Sequence, residues 1–238
     1  MAQHRRQKRP SRSQRHVRRQ QPPRKPVADL TVRLPERRTE PETAIAHLGP
    51  TNSGKTHDAL RFLLENGWGV YAAPLRMLAQ EAYRRLAAEI GEDGVGLVTG
   101  EERINEGAPI VCCTVEMAPS SGDVLVLDEV QWADDDERGS AWTRLLLAGE
   151  YRLILLLGAL DALPLVRSAF PDVDVRVFER KLPLEFVGER PFSMLAAGTV
   201  IVAFSRRAVL ALAGEVNRRL PGRVAVLYGA MPLASRRV

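Results

Sequence analysis

The segment Gly49-Pro-Thr-Asn-Ser-Gly-Lys-Thr56 has the residue types and spacing of a phosphate-binding loop. It fits the pattern G-x-x-x-x-G-K-[ST] and lies between an apolar run at 44–46 and a helical pattern, which is the context that this motif requires. Its two glycines allow backbone N–H groups to converge on phosphate oxygens, and the start of the following helix adds a positive potential. The sequence therefore predicts a nucleoside triphosphate site formed by Gly49, Pro50, Thr51, Asn52, Ser53, Gly54, Lys55 and Thr56.

Two side chains of this loop have specific expected roles. Lys55 is expected to reach the outer phosphates of ATP, and the hydroxyl of Thr56 is expected to ligate Mg²⁺. The alternative is a glycine-rich turn that binds nothing, which the flanking strand and helix patterns disfavour.

A pair of acids, Asp128 and Glu129, follows the apolar run 124–127. An acid at the carboxyl end of a parallel strand lies where α/β sheets bind ligands, so we expect Asp128 to hold Mg²⁺ together with Thr56. Glu129 is expected to orient and deprotonate the water that attacks the γ-phosphate. Gln131 is expected to signal the state of the γ-phosphate to the nucleic-acid side, with a solvated loop amide as the alternative. The predicted catalytic residues are Glu129, Lys55 and Gln131. Surface acids that merely end a strand are the alternative.

The elements that must position these groups alternate along the chain. Short apolar runs and helical patterns follow one another from Thr43 to about Phe178, which predicts an α/β fold with a parallel sheet. The predicted strands are 44–48, 69–73, 96–99, 110–114, 124–128, 152–157 and 173–177. The predicted helices are 56–65, 76–90, 115–118, 141–147 and 161–170.

The remainder of the chain predicts a linker and a second lobe. A segment of mixed charge with Pro and Gly at 178–192 resembles a linker, and a strand–helix–strand pattern follows at 199–204, 206–220 and 224–228. An α/β lobe usually needs roughly a hundred residues, so we expect the second lobe to be cut short at Val238. The predicted parts are a basic tail (1–40), a first lobe (41–180), a linker (181–193) and the start of a second lobe (194–238).

The net charge of +5 is unevenly distributed. Residues 1–30 carry ten basic side chains and one acid, a net of +9, and the rest of the chain carries −4. Because the tail has few large apolar residues, we expect it to be disordered. It is either an electrostatic tether to nucleic acid or a solubilising extension.

Composition limits the other classes of function. No apolar run approaches the roughly eighteen residues of a membrane span, so no membrane partner is expected. The adjacent Cys112 and Cys113 indicate neither a disulfide framework nor a zinc site, and we interpret them as buried. The chain has 30 Arg and four Lys, which hints at a GC-rich bacterial genome. We therefore expect a bacterial cytoplasmic protein, with the mitochondrial matrix as the alternative.

Further segments add specificity beyond the loop and the acids: AIAHLGPTNSGKTHDALRFL, GVYAAPLRMLAQE, LVTGEER, CTVEM, LDEVQ, RGSAWTRLLL, FSRRAV and LYGAMP. In this order they closely resemble the mitochondrial degradosome RNA helicases of the suppressor-of-var type, which belong to helicase superfamily two and have bacterial relatives. The resemblance runs from about Ala44 to the last residue. It implies a RecA-like ATP-binding lobe with a parallel sheet, followed by an incomplete second RecA-like lobe.

The resemblance also implies site residues and partners. It assigns the loop to ATP phosphates, and it assigns Asp128, Glu129 and Gln131 to Mg²⁺ binding, base catalysis and coupling. It implies contacts with the nucleic-acid backbone at Pro74, Leu75, Arg76, Thr99, Gly100 and Thr114. The implied partners are ATP, RNA as a single strand or tailed duplex, and an exoribonuclease.

The chain departs from the family pattern at three places, one of which is Ser140, where the family has an aromatic residue. Gly158 is followed by Ala159 where the family usually has an acid, and the late motifs that supply arginines to the γ-phosphate are not seen. An arginine finger accelerates other NTPases by about three to five orders of magnitude. We therefore expect the chain to bind ATP–Mg²⁺ but to hydrolyse ATP slowly and not to unwind.

The predicted function is an ATP-dependent RNA helicase core. The alternatives are a nucleotide- and RNA-binding remnant that does not cycle, or a DNA-acting translocase of the same superfamily. A P-loop kinase is disfavoured by Glu129, because a kinase needs no base for water. A GTPase is disfavoured because no Asn-Lys-x-Asp segment is present.

Overall fold

A computed structural model describes residues 37–229 and Met231. Contacts between Cα atoms divide the chain after Lys181 into two units. The expected disordered tail at 1–40 lies almost entirely outside the described residues.

The first unit is built on one sheet of eight strands. The strands are β1 (Thr43–Leu48), β2 (Gly69–Ala73), β3 (Val95–Val98), β4 (Arg103–Ile104), β5 (Ile110–Thr114), β6 (Ser121–Leu127), β7 (Glu150–Gly158) and β8 (Asp174–Val177). Their order across the sheet is β4-β3-β5-β2-β6-β7-β1-β8. All neighbouring pairs are parallel except β3 and β4. The predicted α/β fold with a parallel sheet is confirmed.

Among the described residues of this unit, four α-helices cover the two faces of the sheet. They are α1 (Lys55–Asn66), α2 (Arg76–Ile90), α3 (Gly139–Ala148) and α4 (Leu163–Ala169). Apolar side chains of α1 and α2 form one buried cluster with one face of the sheet. Those of α3 and α4 form a second cluster with the opposite face.

The central strands are apolar on both faces, as buried parallel strands must be. In β6, Val124 and Val126 contribute to one cluster, and Leu125 and Leu127 to the other. This alternation follows from the two-residue period of a strand. It fixes the register of β6 and therefore the position of Asp128 directly after it.

Several predicted elements differ from the structure. The expected helix at 115–118 is a 3-10 turn at Val115–Met117, and the helix expected at 161–170 begins with a 3-10 turn at Leu160–Ala162 before α4. Such short segments contain too few residues for a helical period to be read. The two-residue strand β4 was not predicted, because both of its residues are exposed and carry no apolar pattern.

The second unit contains one α-helix within its described residues, α5 (Arg206–Arg219). Its N-terminus is capped by Ser205, whose Oγ accepts a 3.1 Å hydrogen bond from the backbone N–H of Ala208. The expected strands at 199–204 and 224–228 are irregular in the structure. A strand exists only when it pairs, and Val200, Val202 and Phe204 remain exposed. That this unit begins a second RecA-like lobe stays a prediction.

Candidate functional site

The predicted phosphate-binding loop joins β1 to α1 and has the backbone conformation that its glycines allow. Gly54 precedes α1 with a φ of 100°, and Asn52 has a φ of 59°. Positive φ is costly for most side chains and tolerated by Gly and Asn. At Gly49 a side chain would overlap the backbone carbonyl of Phe178. The glycines at both ends of the loop are therefore required by local geometry.

The ammonium group of Lys55 lies inside the loop. Its Nζ donates hydrogen bonds to the carbonyl oxygens of Gly49 at 2.7 Å and Pro50 at 2.6 Å, and approaches Ser53 Oγ at 3.3 Å. Burial lowers the pKa of Lys55, whereas the carboxylates of Glu129 and Asp128 raise it. The loop thus holds a cation where an anionic ligand would be attracted.

The carboxylate of Asp128 is buried at the end of β6, which lies two strands from β1. Tyr71 donates its hydroxyl proton to Asp128 Oδ2 at 2.5 Å, and the backbone N–H of Glu129 donates to Oδ1 at 2.9 Å. Burial raises the pKa of Asp128 to about 6, against the effect of the Tyr71 hydrogen bond, which lowers it. A buried carboxylate with few compensating charges favours a bound cation.

Glu129, Gln131 and Ala159 form a hydrogen-bonded bridge between two strand ends. Gln131 Nε2 donates to Glu129 Oε2, and Gln131 Oε1 accepts a 3.1 Å hydrogen bond from the backbone N–H of Ala159. Glu129 has a φ of 50°, a strained conformation for a residue with a side chain. The bridge uses the backbone of Ala159, so the missing acid at this position does not remove it.

Thr56 and Asp128 provide a hydroxyl and a carboxylate oxygen, which are the ligand types that Mg²⁺ prefers. Thr56 lies in the first turn of α1 and is partly buried. Among residues 37–229, no group of three or more His, Cys, Asp or Glu could hold a metal ion. Two protein oxygens fit Mg²⁺, because this ion is usually bound by one or two carboxylates together with substrate phosphates and water.

The residues predicted to contact RNA lie at the carboxyl ends of three adjacent strands. Ala73 of β2 is in register with Thr114 of β5, and β5 pairs with β3, which ends just before Thr99. The structure therefore brings together Pro74, Leu75, Arg76, Thr99, Gly100 and Thr114. Their role in RNA binding stays a prediction.

Side chains at this edge are held by ion pairs and hydrogen bonds. Arg76 forms a salt bridge with Glu101 and lies beside Gly100. The hydroxyl of Thr99 accepts hydrogen bonds from the backbone N–H groups of Glu101 at 3.3 Å and Glu102 at 3.0 Å. The predicted phosphate contact Arg76 is thus already paired with a carboxylate.

Arg138 links this edge to Trp132 and Trp142, and sequence reasoning missed it. Its Nη2 donates to the carbonyl of Pro74 at 2.7 Å and to Glu116 Oε1 at 2.6 Å. Its guanidinium also lies 5.0 Å from the ring centre of Trp132 and 5.6 Å from that of Trp142. Arg138 precedes α3 in a charged loop, where a solvated cation would be the ordinary interpretation.

The segment after β8 contacts the phosphate-binding loop, although the sequence indicated a linker from Phe178 onward. Arg180 Nη2 donates to the Thr51 hydroxyl at 3.1 Å, and the backbone N–H of Lys181 donates to the Asn52 carbonyl at 3.3 Å. More than 120 residues separate these partners in sequence, so no local pattern reveals them.

Comparison with known proteins identifies relatives of the chain. A family model described as the DEXQ-box helicase domain of Suv3 matches residues 32–179. The chain is 39% identical over 221 residues to the mitochondrial ATP-dependent RNA helicase SUV3 of Saccharomyces cerevisiae, covering 85% of the chain and 29% of that protein. It is 37% identical over 224 residues to the mitochondrial helicase SUPV3L1 of Mus musculus, covering 87% of the chain and 28% of that protein. The chain therefore spans less than a third of each.

A solved structure shows the same fold. The Escherichia coli DEAH/RHA helicase HrpB superposes with a TM-score of 0.55 at 20% identity, over 82% of this chain and 30% of HrpB. At this identity the likeness concerns the fold of the chain.

One expectation from the sequence is wrong. The relatives from yeast, mouse, Drosophila melanogaster and Arabidopsis thaliana all carry mitochondrial names, which contradicts a bacterial cytoplasmic location. The arginine-rich composition is an indirect signal of genome composition and carries no information about the compartment.

Proposed function

Because the chain belongs to the family of DEXQ-box helicase domains of Suv3, we propose that it forms the ATP-binding lobe of an ATP-dependent RNA helicase. The single observation that carries this proposal is the bridge from Glu129 through Gln131 to Ala159. It joins the carboxylate suited to activate water to the end of β7, the strand between β6 and β1. A site that only bound nucleotide would not need a positioned base.

The proposed reaction is hydrolysis of ATP by water. Glu129 accepts a proton from the water as its oxygen attacks the γ-phosphorus, and the bond from that phosphorus to the bridging oxygen breaks to release ADP and phosphate. The loop and Lys55 bind and orient the phosphates. Thr56 and Asp128 would hold Mg²⁺, which neutralises phosphate charge when bound. Gln131 holds the Glu129 carboxylate in place through its amide.

RNA is the proposed nucleic acid, at the edge formed by the ends of β2, β3 and β5. The names of the relatives specify RNA for those proteins. Hydroxyls and backbone N–H groups at strand-to-helix turns suit contacts with phosphates, which carry no base information. Binding should therefore be insensitive to sequence and should weaken steeply with salt. An exoribonuclease partner, implied by the resemblance alone, is to be tested by copurification.

Steady-state ATP turnover with and without single-stranded RNA tests the proposed function. We expect the wild-type chain to hydrolyse ATP slowly and RNA to accelerate this turnover, whereas Lys55→Ala should lose at least about 90% of the rate. The control is Arg167→Ala, which removes an exposed cation from the last turn of α4. Equal turnover by wild type and Lys55→Ala would contradict the proposal and leave the binding-only remnant.

A further inference from the structure

The strand β8 carries the chain past the phosphate-binding loop. Val177 of β8 is in register with Leu48 of β1, and the next backbone N–H, that of Phe178, donates to the Leu48 carbonyl at 2.7 Å. The ring of Phe178 packs against that of His47, with 4.7 Å between centroids. Residues 178–181, which we term the strap, are therefore fixed directly beside the start of the loop.

The strap then follows the loop along its length. Arg180 donates from Nη2 to the Thr51 hydroxyl at 3.1 Å, and Lys181 is held by its backbone N–H at the Asn52 carbonyl. The side chain of Lys181 reaches the end of the loop, because a methyl group added at Gly54 would lie 2.9 Å from its Nζ. Two cations thus approach the loop, Arg180 at Thr51 and Lys181 at Gly54, where the backbone turns into α1.

The two strap cations and the acids Asp128 and Glu129 lie on opposite sides of β1, the strand that precedes the loop. In the sheet, β1 has β7 and then β6 on one side, and β8 on the other. Asp128 and Glu129 follow β6, whereas Arg180 and Lys181 follow β8. A ligand bound in the loop would therefore have carboxylates and any bound metal toward β6, and guanidinium and ammonium groups toward β8.

Among the described residues, no carboxylate lies within salt-bridge distance of the strap cations. Within residues 37–229, neither Arg180 nor Lys181 forms a salt bridge. Arg176, four residues before Arg180, is instead 3.6 Å from Asp174. The field of Arg180 also contributes to lowering the pKa of Lys55. Three like charges around one loop repel one another, and an anion with several charges relieves that repulsion.

We propose that Arg180 and Lys181 bind the phosphate oxygens of the nucleotide, forming a second cationic wall of the site opposite the acids. The ligand class is a nucleoside polyphosphate, recognised by charge and by the planar guanidinium, which pairs well with phosphate. The inference rests on the proposed function, since it concerns the same loop. It assigns a binding role to a segment whose sequence indicates only a linker.

The test is the affinity of the full chain for a fluorescent ATP analogue, measured by titration for wild type, Arg180→Ala, Lys181→Ala and the double variant. We expect each single change to weaken binding about fivefold or more, and the double change to weaken it further. The double variant should also lose less affinity with added salt than wild type does, because fewer charge contacts remain to be screened. Arg180→Lys should retain part of the affinity.

Competition by inorganic tripolyphosphate separates phosphate contacts from contacts with the base. If the strap binds phosphates, the inhibition constant of tripolyphosphate should be higher for the double variant than for wild type. If tripolyphosphate binds both proteins equally, the assignment to phosphate is overturned. Arg167→Ala serves as the matched control, since it removes one exposed charge from the same unit away from the loop, and thermal melting confirms that each variant is folded.

The outcomes distinguish this inference from the proposed function. If wild type binds ATP, Lys55→Ala does not, and the double strap variant binds like wild type, then only the strap proposal fails. If wild type itself binds no ATP, both proposals are wrong. Weakened binding by the strap variants with an unchanged Arg167→Ala control supports the strap.

Discussion

The indole Nε1 of Trp142 donates a 2.9 Å hydrogen bond to the backbone carbonyl oxygen of Asp128. Trp142 is fully buried in α3, and its ring stacks on Trp132 with 5.8 Å between centroids. A helix on one face of the sheet therefore holds the backbone of the proposed magnesium ligand. This contact joins the core of the first unit to its candidate site.

Replacing Trp142 by Phe should destabilise the protein through this hydrogen bond. The carbonyl of Asp128 would lose its indole donor in a buried position, and part of the ring volume would become a cavity. We expect the free energy of unfolding to fall by about 2 kcal/mol or more, measured by urea denaturation. Trp68→Phe is the control, because Trp68 is 61% exposed and its replacement should change stability by less than about 0.5 kcal/mol. Equal effects of the two changes would contradict the assigned role.

Arg138 is expected to couple RNA binding at the ends of β2, β3 and β5 to ATP turnover. It contacts the Pro74 carbonyl and Glu116 on one side and the Trp132–Trp142 pair on the other. Arg138→Ala should lower RNA-stimulated turnover about tenfold while basal turnover changes less than about threefold. A lysine at this position cannot donate to both oxygen partners with the same fork geometry, so Arg138→Lys should rescue only part of the effect.

A double-mutant cycle separates coupling by Arg138 from general destabilisation. If the salt bridge to Glu116 carries the effect, Arg138→Ala combined with Glu116→Gln should be little worse than Arg138→Ala alone. Arg103→Ala is the control, because Arg103 also pairs with an acid, Glu106, but lies on the exposed strand β4. Additive losses in the cycle, or an equal loss in the control, would contradict coupling through this pair.

Arg76 and Glu101 should affect RNA binding in opposite directions. Their salt bridge occupies the guanidinium that is predicted to contact a phosphate. Arg76→Ala should weaken binding of single-stranded RNA and reduce the slope of log affinity against log salt by about one. Glu101→Gln frees the guanidinium and removes a negative charge, so it should strengthen binding severalfold. Fluorescence anisotropy at several salt concentrations measures both, and weaker binding by Glu101→Gln would show that the ion pair itself positions the RNA contact.

The local part of the candidate site could be predicted from the sequence. The predicted phosphate-binding loop and helix α2, whose predicted bounds Arg76–Ile90 are those of the structure, depend on short-range patterns of glycine and apolar residues. The acids Asp128 and Glu129 were placed correctly at the end of β6 because a buried parallel strand is a continuous apolar run.

The long-range part could not be read from the sequence. Arg138 meets Pro74 across 64 residues, and Arg180 meets Thr51 across 129. These contacts depend on strand order, which places β6 beside β2, and β8 beside β1 at the edge of the sheet. Charged residues in a loop carry no periodic pattern, so only the folded backbone shows which of them have partners.

The buried carboxylate of Asp128 should make stability depend on pH in the metal-free protein. Its pKa is raised from 3.8 to about 6, chiefly by burial. Between these values the folded state keeps a proton that the unfolded chain has released, so the contribution of Asp128 to stability is greatest below about pH 4 and is lost as pH rises through about 6. Asp128→Asn removes this titration and keeps an oxygen that can accept the Tyr71 hydrogen bond.

The stability of Asp128→Asn relative to wild type should therefore increase between pH 4 and pH 7, by up to about 3 kcal/mol. Urea denaturation in the presence of EDTA measures the difference at each pH, and comparing variant with wild type cancels the titration of all other groups. Asp134→Asn is the control, because it makes the same replacement at an exposed carboxylate of the same unit. A difference for Asp128→Asn that stays constant from pH 4 to pH 7 would mean that the carboxylate of Asp128 is already ionised at pH 4 in the folded protein, and that burial does not hold its proton.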